Sequence, residues 1–148
     1  MNLFGKLLNR KNPDLQKSDG SPKTSGELIA EVTGGANLVN GKQTWELVAD
    51  NKNDIEVMKE CCLAELKTMD AAGLVPAPYY FERVAILSRK EKLYEQEIFF
   101  CEQYIEKVEL FYKKVGTKGY ADVRKGPRYI AIVQRLPKAK ELLKKQKT

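Results

Sequence analysis

Between Tyr94 and Val115 the apolar residues Tyr94, Ile98, Cys101, Ile105, Val108, Tyr112 and Val115 recur at alternating intervals of four and three. At 3.6 residues per turn, that spacing keeps one helix face apolar for about six turns. Upstream, Tyr80, Phe81, Val84, Ala85, Leu87 and Ser88 offer a shorter face that can pack on it. The pattern predicts an all-α fold centred on a helical hairpin, residues 77–90 and 92–115, with Val84, Ile98, Cys101, Ile105 and Val108 buried.

Each side of the hairpin carries one further helical pattern. Asn53 or Asp54 caps a helix whose Ile55, Met58, Cys62, Leu66 and Met69 line one face, ending near Gly73. Pro76 and Pro78 then stop one helix and launch the next. After the hairpin, Gly116 stands where a helix-ending glycine belongs, and residues 116–126 form a basic loop. The last helix starts near Pro127 and turns Ile132, Leu136, Ala139 and Leu143 inward, with a kink or break expected at Pro137.

The first third of the chain is less regular. Leu3, Phe4, Leu7 and Leu8 beside Lys6, Arg10 and Lys11 make a miniature amphipathic helix over Met1–Leu8. Asn12–Gly26 reads as a polar, mobile linker, so residues 1–26 are expected to be a flexible basic segment ahead of a helical domain over 27–148. Ser25 caps a short helix through Val32, stopped by Gly34–Gly35. Asn40–Gly41 is a type I′ turn signal that Leu38–Val39 and Thr44–Val48 flank as a hairpin. Thr44 equally suits the cap of a helix carrying Trp45, Leu47 and Val48. On either reading Trp45 is expected to plug a core.

Composition narrows the chemistry. With 148 residues, 43% apolar and 31% charged, the chain fits a globular domain. No apolar run approaches the ~18–20 residues of a membrane span, and none resembles a signal peptide, so stable membrane insertion is not expected. Three cysteines, two adjacent, fit a reducing cytoplasm better than a disulfide framework. The absence of histidine removes His-based acid–base catalysis, Ser-His and Cys-His pairs and most zinc sites. No phosphate-binding glycine loop, metal set or triad can be assembled, so no catalytic, cofactor or metal residues are expected.

The net charge of +6 is unevenly placed. Residues 1–26 hold five Lys/Arg against two acids (+3), residues 27–112 nine against sixteen (−7), and residues 113–148 twelve against two (+10). A basic end of that kind either folds back on the acidic middle, the favoured reading, or contacts nucleic acid through Lys113, Lys114, Lys118, Arg124, Lys125 and Arg128.

The stretch YFERVAILSRKEKLYEQEIFFCEQYIE, residues 80–106, resembles one tetratricopeptide repeat, a helix-turn-helix unit of roughly 34 residues. Phe81 stands at its large aromatic position, and Val84 and Ala85 at its Leu and small positions. Tyr94 opens the second helix, and Ile98 and Ile105 match apolar sites within it. The wording is also similar to a one-repeat variant found in many small bacterial proteins. Glu97 and Tyr104 depart from the pattern, replacing small residues. One repeat cannot bury its own face, so the flanking helices, or a second copy in a homo-oligomer, must cover it. The resemblance implies a protein-binding adaptor whose first helix lines a groove. By position the partner-binding residues would be Tyr79, Arg83, Ile86, Arg89 and Lys90, with Glu82 among them. Cations and apolar groups in that row suit an acidic or C-terminal-carboxylate peptide.

Overall fold

A computed structural model describes residues 14–119 and 121–148. Among them the chain is mostly helical, with six α-helices and two strands of two residues each. It divides into two compact units, one of residues up to Asp50 with Glu60–Pro76, the other of Asn51–Lys59 with Ala77–Thr148. The expected amphipathic helix over Met1–Leu8 lies outside the described residues.

In the first unit, residues 14–23 are not the featureless linker expected. Gln16 and Pro22 form an antiparallel bridge, with Lys17 N–H donating to Ser21 O at 2.7 Å and Lys23 N–H to Leu15 O at 2.9 Å. Helix α1, Ser25–Thr33, follows; its cap is Thr24 rather than Ser25, and a capping box with Glu27 satisfies both ends of that turn. Gly34, in the left-handed region at φ 66°, ends α1. The Asn40–Gly41 turn is present, both residues at positive φ, and joins β1 (Leu38–Val39) to β2 (Lys42–Gln43). The second strand is therefore two residues earlier than the apolar run suggested. Thr44–Leu47 is a 3-10 turn that leads into the single-turn helix α2, Val48–Asn51. Trp45 is not a core plug: it is 66% exposed, its indole N–H donating to Gln43 Oε1 at 2.7 Å.

Helix α3, Ile55–Ala72, has Asp54 at its start, whose Oδ1 accepts from the N–H groups of Glu56 and Val57. Gly73, at φ 69°, closes it. Met58, Cys61, Cys62, Ala64, Thr68 and Ala72 are its buried residues, while Ile55, Leu66 and Met69 are half-buried.

The second unit is built on α4 (Pro78–Lys90), α5 (Tyr94–Val115) and α6 (Pro127–Lys147), which pack on one another. Pro78 occupies the first turn of α4, where its missing N–H is no loss. Lys92, at φ 60°, turns the chain between α4 and α5. The α4 face matches expectation: Tyr80, Phe81, Val84, Ala85, Leu87 and Ser88 are all buried.

The α5 seam is rotated from the expected one. Glu97, Cys101, Tyr104, Val108, Phe111 and Tyr112 are buried, whereas Ile98 and Ile105 are only half-buried. The aromatic partners explain the rotation. Phe81 of α4 and Tyr129 of α6 lie 4.7 and 6.1 Å from Tyr104, ring centre to ring centre, so Tyr104 fills the middle of the three-helix core. An aromatic ring buries more area than the neighbouring Ile, and such ring pairs add about 0.5–1.5 kcal/mol beyond burial.

In α6 the buried residues are Tyr129, Ile132 and Ala139, with Leu136 and Leu143 half-buried. Pro137 does not break α6, which continues from Pro127 to Lys147. The ring sits on an exposed part of the helix, where water can serve the Val133 carbonyl that Pro137 leaves without an i+4 donor.

Candidate interaction surface

Residues 79, 83, 86 and 90 follow one another at intervals of four, three and four, which places them in one row along α4. The row lies opposite Val84 and Ser88, both fully buried. Tyr79 and Ile86 are half-buried and Lys90 is exposed. Neighbouring side chains hold the row in place. The Arg128 guanidinium lies 4.8 Å from the Tyr79 ring centre and also donates to Glu82 Oε1 at 2.9 Å. Arg83 donates from Nε to Lys52 O at 2.9 Å and from Nη2 to Asn53 Oδ1 at 2.7 Å. Arg83 therefore closes the turn before α3, and only part of its guanidinium faces outward.

Arg89 is not in the row. It turns inward and donates from Nε to Glu97 Oε1 at 3.0 Å, with Nη2 2.8 Å from Glu97 Oε2 and bonded to Arg135 O at 3.2 Å. Arg135 completes the cluster, its Nε donating to Glu97 Oε2 at 2.9 Å. Glu97 is wholly buried, and two guanidinium groups saturate its oxygens. This cluster ties α4, α5 and α6 together around one carboxylate. Of the residues expected to bind a partner, the structure aligns Tyr79, Arg83, Ile86 and Lys90 in one row, while Arg89, part-buried, is engaged with Glu97 and the Arg135 carbonyl.

The basic C-terminal region is paired with the acidic middle. Arg124 meets Glu109 at 3.1 Å, Arg128 meets Glu82, Arg135 meets Glu97, Lys140 meets Glu102 at 3.8 Å and Lys147 meets Glu95 at 3.2 Å. Arg124 also grips Asp122 and stacks 4.5 Å from the Tyr112 ring centre. Its hydrogen bonds and charge hold the Asp122 carboxyl below the usual carboxylate range. Tyr112 pins the loop before α6: its hydroxyl donates to Ala121 O at 2.8 Å and accepts from Val123 N–H at 2.9 Å. Burial, then the bond and charge of Glu109, push the Tyr129 phenol up to about 12. Among the described residues, Lys113, Lys114, Lys118 and Lys125 are exposed and form no ion pair.

The three thiols are buried and free. Burial, with nearby carboxylates, pushes Cys61 up to about 11 and Cys101 up to about 12, and Cys62 higher still. None is a thiolate at neutral pH, which is the nucleophilic form.

The first unit holds a cleft of about 360 Å³ that sequence reading missed. Ser25 and Ile29 of α1, Asn37, Trp45, Glu65 and Val75 are among the residues around it. Asn37 Nδ2 donates to Gly26 O at 3.1 Å, while Asn37 Oδ1 is buried without a hydrogen-bond partner, the one such side-chain atom among the described residues. Leaving a buried acceptor unsatisfied costs about 1–3 kcal/mol. The exposed tryptophan beside it is the only signal the sequence could have offered, and composition alone reads a lone Trp as core.

No family model matches the chain, and no curated protein or solved structure matches it either.

Proposed function

We propose that this chain is a non-enzymatic protein-interaction module of tetratricopeptide-like type, which presents the outer row of α4 to an acidic segment of a partner. One observation carries the reading. Ile86 and Lys90 stand in line with Tyr79 on a helix fixed from behind by the Arg89–Glu97–Arg135 cluster and from the side by Arg128. A rigid helix with an accessible apolar side chain beside a free cation loses little entropy on binding, and the cation fixes a carboxylate. Relative to the resemblance alone, Arg89 leaves the contact set and Lys90 becomes its main cation.

The test uses the full chain as bait in lysate of the cells that make it. Ile86→Ser with Lys90→Glu is expected to weaken capture of the main partner by about tenfold or more, through loss of the anchor and charge repulsion. Undiminished capture by this variant refutes the reading.

A second reading, contact with nucleic acid, is favoured by the four unpaired lysines at 113, 114, 118 and 125. Arg124 and Arg128, the two arginines of that set, are engaged with carboxylates instead. Salt separates the two readings: counterion release makes nucleic-acid binding fall steeply with added salt, whereas docking on Ile86 falls much less.

A further inference from the structure

We propose that the β1–β2 turn is a site of spontaneous covalent modification, where the Asn40 side chain closes on the main-chain nitrogen of Gly41 and so loosens the hairpin that positions Trp45. The proposal stands apart from the α4 reading, because every residue that reacts or moves belongs to the first unit.

The turn leaves both reacting groups accessible. Asn40, Gly41 and Lys42 are exposed, and among the described residues no hydrogen bond holds the Asn40 amide or the Gly41 N–H. Gly41 has no side chain to crowd its nitrogen, and the space a Cβ would occupy is open. Ring closure needs the Asn40 carboxamide to swing over that nitrogen, so the turn must open briefly. Only the pairs Leu38–Gln43 and Val39–Lys42 close it, and so short a hairpin is marginal by itself. The other described asparagines are held or crowded. Asn37 Nδ2 donates to Gly26 O at 3.1 Å, Asn53 Oδ1 accepts from Arg83 Nη2 at 2.7 Å, and Asn51 ends helix α2 with its carbonyl bonded to Asp54 N–H. Each is followed by a residue with a side chain, Leu38, Asp54 or Lys52.

The reaction needs only water and hydroxide. The Gly41 nitrogen gives its proton to hydroxide and attacks Cγ of Asn40. A Cγ–N bond forms, the Cγ–Nδ2 bond breaks, and Nδ2 takes a proton from water and leaves as ammonia. Water then opens the five-membered cyclic imide on either side of its nitrogen. Cleavage of the new bond leaves an aspartate in the ordinary chain. Cleavage of the original peptide bond leaves an isoaspartate, whose main chain runs through Cβ and Cγ. Nothing is oxidised or reduced. The added main-chain carbon takes Val39 and Lys42 out of register, because turn length sets the register of a hairpin. Gln43 follows directly, and its Oε1 accepts from the Trp45 indole at 2.7 Å while its N–H donates to Glu46 Oε2 at 2.8 Å. A shift of β2 therefore reaches Trp45.

Trp45 is the only tryptophan, so its fluorescence reports on the hairpin directly. Full-length folded protein is incubated at mildly alkaline pH, where the amide proton is lost more readily, and sampled over days. Peptide mapping is expected to show a gain of one mass unit at Asn40, with aspartate and isoaspartate products resolved by chromatography, and none at Asn37, Asn51 or Asn53. Trp45 emission is expected to shift in step with the isoaspartate fraction. Asn40→Gln, whose amide has to close a larger ring, should lose both changes. If that variant folds poorly, the map of the unaltered protein decides. Modification of Asn40 only after denaturation, equal modification at Asn37, Asn51 or Asn53, or full conversion with unchanged Trp45 emission overturns the proposal.

Discussion

Arg135 Nε donates to Glu97 Oε2 at 2.9 Å, so a carboxylate with no solvent exposure on α5 is matched by a guanidinium from α6. Arg89 approaches the same carboxylate from α4. A buried ion cluster of this kind adds little net stability, but removing its cations leaves a buried carboxylate uncompensated, which is costly. Replacing Arg89 and Arg135 together by Met, which strands Glu97, is expected to cost about 3–5 kcal/mol. Adding Glu97→Leu to that pair should recover a large part of the loss. Urea denaturation of the double and triple variants checks this, and a triple variant no more stable than the double would contradict it.

Tyr104, not Ile105, is the centre of the α5 core. Tyr104→Ala is expected to cost about 3–5 kcal/mol, the range for deleting a buried aromatic. Half-buried Ile105 can be truncated for about 1 kcal/mol, since roughly half of its transfer free energy is already lost to solvent. Denaturation midpoints of the two single variants should fall in that order.

The thiols give stability a pH dependence. Cys61 and Cys101 are held neutral in the folded state well above the ordinary thiol value of 9.0. The unfolded chain therefore gives up these protons first as pH rises, and the folded state binds more protons above about pH 9. Stability from this source is fully present below pH 9 and is lost as pH rises through the folded values near 11 and 12. Melting temperature is expected to be level across neutral pH and to fall above about pH 9. The Cys61→Ala, Cys101→Ala variant should show a shallower alkaline fall.

Gly26 lies against the amide of Gln43, and a Cβ at position 26 would collide with that side chain. Gly26→Ala is expected to push Gln43 away from the Trp45 indole it accepts from. The result should be an altered Trp45 emission maximum with little loss of stability, because what must move is the end of a flexible side chain and alanine is the better helix former in α1. An unchanged spectrum would show that the Gln43 amide adapts without releasing the indole.

The helical hairpin was legible because Phe81, Val84, Cys101 and Val108 keep helical spacing whichever of two faces is chosen. The choice of face was not. Ile98, Cys101, Ile105 and Glu97, Cys101, Tyr104 both run at intervals of four and three, and a hydropathy pattern prefers the first because it contains no charge. Two arginines distant in sequence, Arg89 and Arg135, make Glu97 an interior residue, and no local pattern announces that pairing. Glu97 and Tyr104 were nevertheless visible as departures from the repeat, replacing small residues at close helix contacts. The basic end was legible as charge complementarity, and its pairing with the acidic middle followed. The cleft was illegible because it draws α1, Gln43–Trp45 after the β1–β2 turn, and α3 together across some forty residues, and no local pattern links those segments.

The central claim is that the outer row of α4 meets the partner, and site-specific photo-crosslinking tests it most directly. A photoreactive phenylalanine analogue is placed at Ile86 in the full chain, and separately at Phe99, which is 58% exposed on the outer side of α5. Crosslinkers of this kind trap only partners within a few ångströms, so the two positions report on different faces. A discrete adduct from position 86 that Lys90→Glu suppresses, with none from position 99, is the predicted result. An adduct from position 99 and none from position 86 would contradict it.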